Sequence, residues 1–250
     1  MLILPHNSSL DHGLATRLQA VRAQLSAAAL AAGRSVDSVT LVAVSKGQPA
    51  ALVSQLANLG VGDFGESYLQ EALPKLRELE ALELNWHFIG RLQANKTRAV
   101  AEHFAWVHSL DRLPLAERLS AQRPHRAPPL NVCLQVKPGS DPGKGGLEIP
   151  HTAALADSVR ALPRLRLRGL MCLLAEGLAA TEQLRQFRSV HALMGALNAA
   201  GHELDTLSMG MSGDFPLAIH AGATLVRLGT ALFGARAAPR RNPGAPPPSP

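Results

Sequence analysis

Leu41-Val42-Ala43-Val44-Ser45-Lys46 decides how this chain is read. The run is apolar, rich in β-branched residues and too short for a helix of its own, so it reads as a buried strand. It ends in a single lysine. A lysine at the end of a buried strand is poorly solvated, and desolvation lowers an ammonium pKa and raises the share of free amine. A free amine condenses with aldehydes, which is the chemistry of Schiff-base lysines. The plainer alternative is that Lys46 snorkels from the strand end to water.

The same strand-then-helix grammar repeats outward from this run. Upstream, residues 1–12 read as a loose leader, and Leu14, Leu18, Val21 and Leu25 recur at helical spacing before Gly33. Downstream, Pro49 opens a helix, and Val61-Gly62-Asp63-Phe64-Gly65 is a second strand with a helix expected from Glu66. Further strands are expected at 84–90, 104–109, 130–136, 167–173, 204–209 and 224–229, each but the last followed by a helical stretch. Alternation of this kind demands parallel strands with right-handed crossovers. Eight units are the number that closes a TIM-type (β/α)8 barrel, here with an extra helix in front. An open doubly wound sheet is less favoured, because no glycine-rich dinucleotide loop follows the first strand. The barrel is expected over 13–236, and the proline-rich stretch at 237–250 is expected to be disordered.

Composition narrows the class. The chain has 250 residues, 46% of them hydrophobic, enough for one sizeable core. A net charge of +6 raises nucleic acid as a partner, but aromatics are 4% and no basic run is interleaved with them, so none is expected. The charge suits small anions equally well. Cys133 and Cys172 sit inside apolar runs and read as buried thiols rather than a disulfide or metal set. No apolar stretch reaches membrane-spanning length, so a soluble, cytoplasmic protein is expected.

In such a barrel the chemistry sits at the C-terminal strand ends, with phosphate often held by the loops after the last two strands. Those ends carry Lys46, Glu66, Ser67, Gly90, His108, Ser109, Asp111 and Lys137, with Gln93, Asn95 and Lys96 just beyond the third. The seventh ends in Ser208-Met209-Gly210-Met211-Ser212-Gly213-Asp214, the eighth in Arg227-Leu228-Gly229-Thr230. Small and hydroxylic residues there let backbone N–H groups approach an anion. Two such loops facing Lys46 describe a site for a phosphorylated aldehyde, and pyridoxal 5′-phosphate (PLP) is the obvious one. Arg227 beside a pyridine nitrogen would keep it unprotonated, because a guanidinium does not dissociate. Other readings stay open. Ser-Met-Gly-Met-Ser fits a tight loop, Arg227 fits a pair with Asp63, Glu66 or Asp205, and His87 and His108 fit packed residues better than metal ligands. Gly143-Lys144-Gly145-Gly146 lacks the spacing of a phosphate loop.

These segments resemble the pyridoxal phosphate homeostasis protein family (YggS/PROSC). The resemblance rests on Leu41 to Lys46, Phe64-Gly65-Glu66, Trp86 to Gly90 with Leu92-Gln93 and Asn95-Lys96, and His108 to Asp111. It continues through Leu167 to Met171, Leu207 to Ser212, Val226-Arg227, Gly229-Thr230-Ala231 and Phe233 to Arg236. It implies a barrel like the N-terminal domain of alanine racemase. Lys46 would be the PLP aldimine lysine, Ser212, Gly229 and Thr230 the phosphate holders, and Arg227 the partner of the pyridine nitrogen. It implies a non-catalytic carrier or buffer of PLP, with PLP-dependent apoenzymes as possible recipients. Departures fall at Gly47, Gln48, Ser67, Arg91, Lys137 and Cys172-Leu173-Leu174, and none touches the expected PLP anchors.

The alternative is an amino-acid racemase of the same barrel type. A two-base racemase needs a second proton acceptor opposite its lysine, and the chain's only tyrosine is Tyr68, after the second strand. With no second domain visible behind the barrel, a monomer without evident catalysis is expected.

Overall fold

The computed structural model describes residues 12–234 other than 140, 142 and 144. The expected leader (apart from His12) and the tail lie outside the described residues, as do Ala235, Arg236 and Lys144. The chain opens on helix α1 (His12–Ala31) and a short 3-10 turn, then enters β1 (Thr40–Val44) and α2 (Ala50–Asn58). The alternation continues with β2 (Asp63–Glu66), α3 (Leu69–Glu78), β3 (Asn85–Phe88), α4 (Thr97–His103), β4 (Trp106–Leu110), α5 (Leu113–Gln122) and β5 (Leu130–Lys137). A two-residue strand, β6 (Leu147–Glu148), precedes α6 (Thr152–Arg160), β7 (Leu165–Cys172), α7 (Ala180–Ala199), β8 (Thr206–Ser208), α8 (Phe215–His220), β9 (Leu225–Leu228) and α9 (Thr230–Phe233).

All strand pairings are parallel, in the order β4-β3-β2-β1-β9-β8-β7-β5, and β4 also pairs with β5. That last pairing closes the sheet into the expected eight-stranded barrel, which removes its edges. β6 is an addition, paired to the end of β5. Alternation along each strand divides the side chains between two layers. Phe64, Trp86, Phe88, Val107, Val226 and Leu228 are buried in the hydrophobic core, whereas His87, His108 and Arg227 at intervening positions are buried inside the barrel. The interior is therefore markedly polar for this architecture, whose barrels are usually filled by branched aliphatic residues.

Some local expectations need correction. Glu66 closes β2 instead of opening a helix, and α3 begins only at Leu69. Pro49 is the N-cap of α2 and not a residue of its first turn. The stretch from Gln93 starts as a 3-10 turn, Ala94–Lys96, before α4. Helix α1 packs on α8 and α9. Arg34 at its end donates to the carbonyls of Ile219, Ala223 and Ser38 at 3.1, 2.7 and 3.0 Å, which ties the extra helix to the C-terminal strand–helix unit.

Glycine is required where β7 meets β8. Gly169 pairs with Thr206, and a Cβ at Gly169 would overlap the Thr206 carbonyl. Backbone cannot yield there as a flexible side chain would. Gly169→Ala is expected to lower stability by about 1–3 kcal/mol, the usual cost of overpacking, measured as a drop in the urea midpoint with unchanged slope.

Candidate functional site

Lys46 stands at the C-terminal mouth, half-buried just past β1. It is not sealed within the barrel as a fully desolvated amine would be, because the chain turns away at once: Gly47 takes φ 73°, a left-handed value that glycine adopts without strain. The Gly47 N–H donates to Glu71 of α3 at 2.9 Å, which pins the turn.

Beneath the turn lies a buried polar brace. Glu66 is fully buried at the end of β2 and takes the Ser45 hydroxyl at 2.7 Å and the Lys75 ammonium at 2.5 Å on the same oxygen. Lys75 also donates to the Ser45 carbonyl at 2.8 Å. The residue immediately before Lys46 is thereby fixed from two directions. Glu66 thus supports the strand end and does not face the mouth.

A cavity of about 480 Å³ opens there, within the usual range for small-molecule sites. Lys46, Ser67, Ser212, Arg227, Gly229 and Thr230 line it, so every anchor expected from the sequence reaches one space. Gly229 lies against β1: a Cβ there would press on the Val44 carbonyl at 3.3 Å. This close approach brings the loop after β9 beside the lysine. The loop after β8 joins it through Ser212, whose hydroxyl accepts from the Ala231 N–H at 3.3 Å. Hydroxyls, glycine backbone and short loops make a cradle suited to an anion. A lysine, a guanidinium and this cradle together have the donor chemistry that a phosphorylated pyridine aldehyde needs.

Arg227 is almost wholly buried. It pairs with none of Asp63, Glu66 or Asp205. It donates instead to the Cys172 carbonyl at 2.9 Å and the Ser208 hydroxyl at 2.5 Å. Ser208 meets His108 Nδ1 at 2.7 Å, His108 Nε2 meets His87 Nδ1 at 2.9 Å, and His87 Nε2 meets Asp63 Oδ1 at 2.9 Å. Burial pushes the His87 pKa down, against the pull of Asp63. Burial, with the nearby His87 and Arg227, pushes His108 well down. Near pH 7 burial therefore favours the neutral form of both rings. His108 belongs to the interior, not to the mouth where the sequence placed it.

Other residues expected at the mouth sit at or beyond C-terminal strand ends but do not line this cavity. Ser109 donates to the Gly90 carbonyl at 2.5 Å, Asp111 pairs with Arg112 at 3.0 Å, and Lys137 pairs with Glu148 at 3.0 Å. Gln93, Asn95 and Arg91 are exposed and line no part of the cavity. Met211, from the end of the seventh strand, lines it too, as do Gln48, Glu176 and Phe233, which the strand-end reading does not single out. Cys133 and Cys172 are buried free thiols, each raised to about 12 chiefly by burial, as their apolar flanks suggested. Among the described residues no cluster of His, Cys, Asp and Glu could hold a metal, and no helix is long and apolar enough to cross a membrane.

The alanine racemase N-terminal domain family matches residues 16–237. A pyridoxal phosphate homeostasis protein of Pseudomonas aeruginosa is 53% identical over 223 residues, covering 89% of this chain and 96% of that protein. The chain belongs to the pyridoxal phosphate homeostasis family. Its Escherichia coli K12 member is 47% identical over 229 residues, 89% of this chain and 97% of that protein. PipY of Synechococcus elongatus PCC7942, solved with PLP bound, superposes with a TM-score of 0.78 at 38% identity, covering 88% of this chain and all of PipY. Alanine racemase of Corynebacterium glutamicum shares the fold, with a TM-score of 0.67 at 19% identity over 87% of this chain and 61% of that one. The expected fold and family are borne out.

Two predictions follow the geometry. Lys75→Met leaves the Glu66 carboxylate buried without its cation, and the expected loss is about 3–5 kcal/mol in chemical unfolding. His87 and His108 have folded pKa values below their unfolded ones. The unfolded chain therefore binds more protons below about pH 6.5. The stability these rings contribute is complete above that pH and is lost as pH falls towards the folded values. Urea unfolding at intervals from pH 7.5 to 5 should show that decline, up to about 1.4 kcal/mol per pH unit for each ring, and a shallower one in His108→Gln.

Proposed function

We propose that this chain binds PLP at the C-terminal mouth of the barrel, and holds, buffers or delivers it without turning over a substrate. The observation that carries this reading is the convergence of Lys46, Arg227, Ser212, Gly229 and Thr230 on one cavity from three separated parts of the chain. Family relatives named for pyridoxal phosphate homeostasis, and PipY with PLP bound, support the same ligand.

PLP supplies an aldehyde that reacts with amines and a ring that withdraws electrons. The residues have separable tasks towards it. Lys46 presents the amine for the aldehyde, with Ser45 braced behind it. Ser212, Gly229 and Thr230 hold the phosphate by hydroxyl and backbone N–H groups. Arg227 donates to the pyridine nitrogen and, as a cation that does not give up its proton, keeps a proton off that nitrogen.

The last task argues against catalysis. A pyridine that stays unprotonated is a weaker electron sink, so proton removal from a bound amino acid is disfavoured. The one tyrosine, Tyr68, is 58% exposed at the N-cap of α3 and does not line the cavity. The cavity thus lacks a tyrosine that could serve as the second base of a racemase. PLP-dependent apoenzymes are the natural recipients of a carried cofactor, and this chain would act as a monomer in the cytoplasm.

The test is an absorbance titration with PLP followed by borohydride reduction and peptide mapping. Wild type should acquire a visible band and a reduced adduct on Lys46. Lys46→Ala should show neither, and Thr230→Val should bind about tenfold more weakly, the value of one hydrogen bond to a charged group. An adduct elsewhere, or a band that survives in Lys46→Ala, sinks the reading. Turnover of D- or L-alanine that Lys46→Ala abolishes would establish the racemase instead.

A further inference from the structure

The polar interior reaches well beyond what a cofactor pocket requires. Asp63 is the first residue of β2 and lies at the opposite, N-terminal mouth. There it lines a separate cavity of about 420 Å³ with Thr40, Asn85, Arg168, Asp205 and Thr224. Four hydrogen bonds connect it to Arg227 through His87, His108 and Ser208, crossing the barrel from one mouth to the other.

The chemistry of the two ends orients the chain. A guanidinium only donates and a carboxylate only accepts. Arg227 therefore donates to Ser208 Oγ. The serine has one proton, which goes to His108 Nδ1. His108 must then carry its proton on Nε2 and donate to His87 Nδ1. His87 in turn carries its proton on Nε2 and donates to Asp63. With Asp63 ionised, the opposite tautomers would set a bare His87 Nε2 against a bare carboxylate oxygen at 2.9 Å. One arrangement satisfies every contact.

This chain does not conduct a proton into the site, because the arginine at its end does not dissociate. What it can do is hold that arginine. A buried guanidinium placed against a neutral hydroxyl needs that hydroxyl turned, with its lone pairs towards the cation. Asp214, the carboxylate that acts on Arg227 through space, spends an oxygen on the Met211 N–H at 2.6 Å. The orientation of Ser208 is therefore left to His108.

We propose that Ser208, His108, His87 and Asp63 form a one-way hydrogen-bond chain that positions Arg227 for a ring-nitrogen acceptor, so that the site's preference for a pyridine is set from the far mouth of the barrel. The proposal rests on the reading of Arg227 given above. His108 and His87 act as positioning residues and touch no ligand.

The test compares PLP with its 1-deaza analogue, in which a C–H replaces the ring nitrogen, by spectral titration of the full chain. Wild type should prefer PLP by about ten- to a hundredfold, the value of a hydrogen bond from a charged donor. His108→Leu should reduce that ratio to about threefold or less while retaining the adduct on Lys46. Asp63→Asn should lower the ratio about threefold, because a neutral acceptor is weaker than a carboxylate. The absorbance maximum of bound PLP should shift in both. Asp205→Asn, at the same mouth but outside the chain, should leave ratio and maximum unchanged. If His108→Leu does not fold, Asp63→Asn with its Asp205→Asn control decides the matter. A wild type that binds neither compound, or both equally, overturns the reading of the site and this inference with it. A wild-type preference that persists undiminished in either chain variant, or an equal fall in Asp205→Asn, overturns the inference alone.

Discussion

A cation that cannot shed its proton is buried inside a closed barrel. Arg227 is almost wholly out of water, on a strand whose neighbours leave little room to move. Removing such a charge from water costs several kcal/mol even after relaxation. Its N–H groups must therefore meet oxygens, and the interior is organised to provide them. The Cys172 carbonyl at the end of β7 supplies one and the Ser208 hydroxyl at the end of β8 another. Meeting the needs of Ser208 then places a histidine on β4, a second on β3 and an acid on β2. A barrel filled with aliphatic side chains would be easier to pack, but it could not hold this guanidinium.

The same economy governs the strand that carries Lys46. Its end is fixed by a buried ion pair, Glu66 with Lys75, that also grips Ser45. A buried pair is seldom more stabilising than a packed hydrophobic one. Its value here is geometric, because it sets the direction in which the chain leaves β1. From there the Gly47 turn puts Lys46 at the rim, and the approach of Gly229 to Val44 brings the loop after β9 beside it. The two mouths thus differ in kind. One offers an amine, hydroxyls and glycine loops. The other is lined by groups that largely satisfy each other, such as Arg168 and Asp205 at 2.8 Å.

Much of this was legible along the chain. Short apolar runs separated by helical periodicity announce parallel strands, and their number announces closure. Strand ends are local features, so Lys46, Ser212, Arg227, Gly229 and Thr230 could be assigned to one mouth before any contact was known. One misassignment is local as well. Glu66 was assigned to a helix because its neighbours downstream are helical, whereas pairing with β3 keeps it in the strand.

What the chain could not reveal is which polar residues meet across the barrel. His108 and Ser208 are 100 positions apart and become partners only when closure turns β4 and β8 inward on each other. Lys75 reaches the Ser45 carbonyl and the Glu66 carboxylate only because α3 packs over the end of β1. Periodicity, glycine placement and residue chemistry act over a few residues, so the sequence by itself determined the strand–helix order, the barrel and the inventory of its mouth. Hydrogen-bond partnership depends on distances that a closed sheet imposes between remote strands. The tertiary structure alone therefore decided that Arg227 is held by a serine and a carbonyl instead of an acid, and that two histidines read as packing residues lie between it and Asp63.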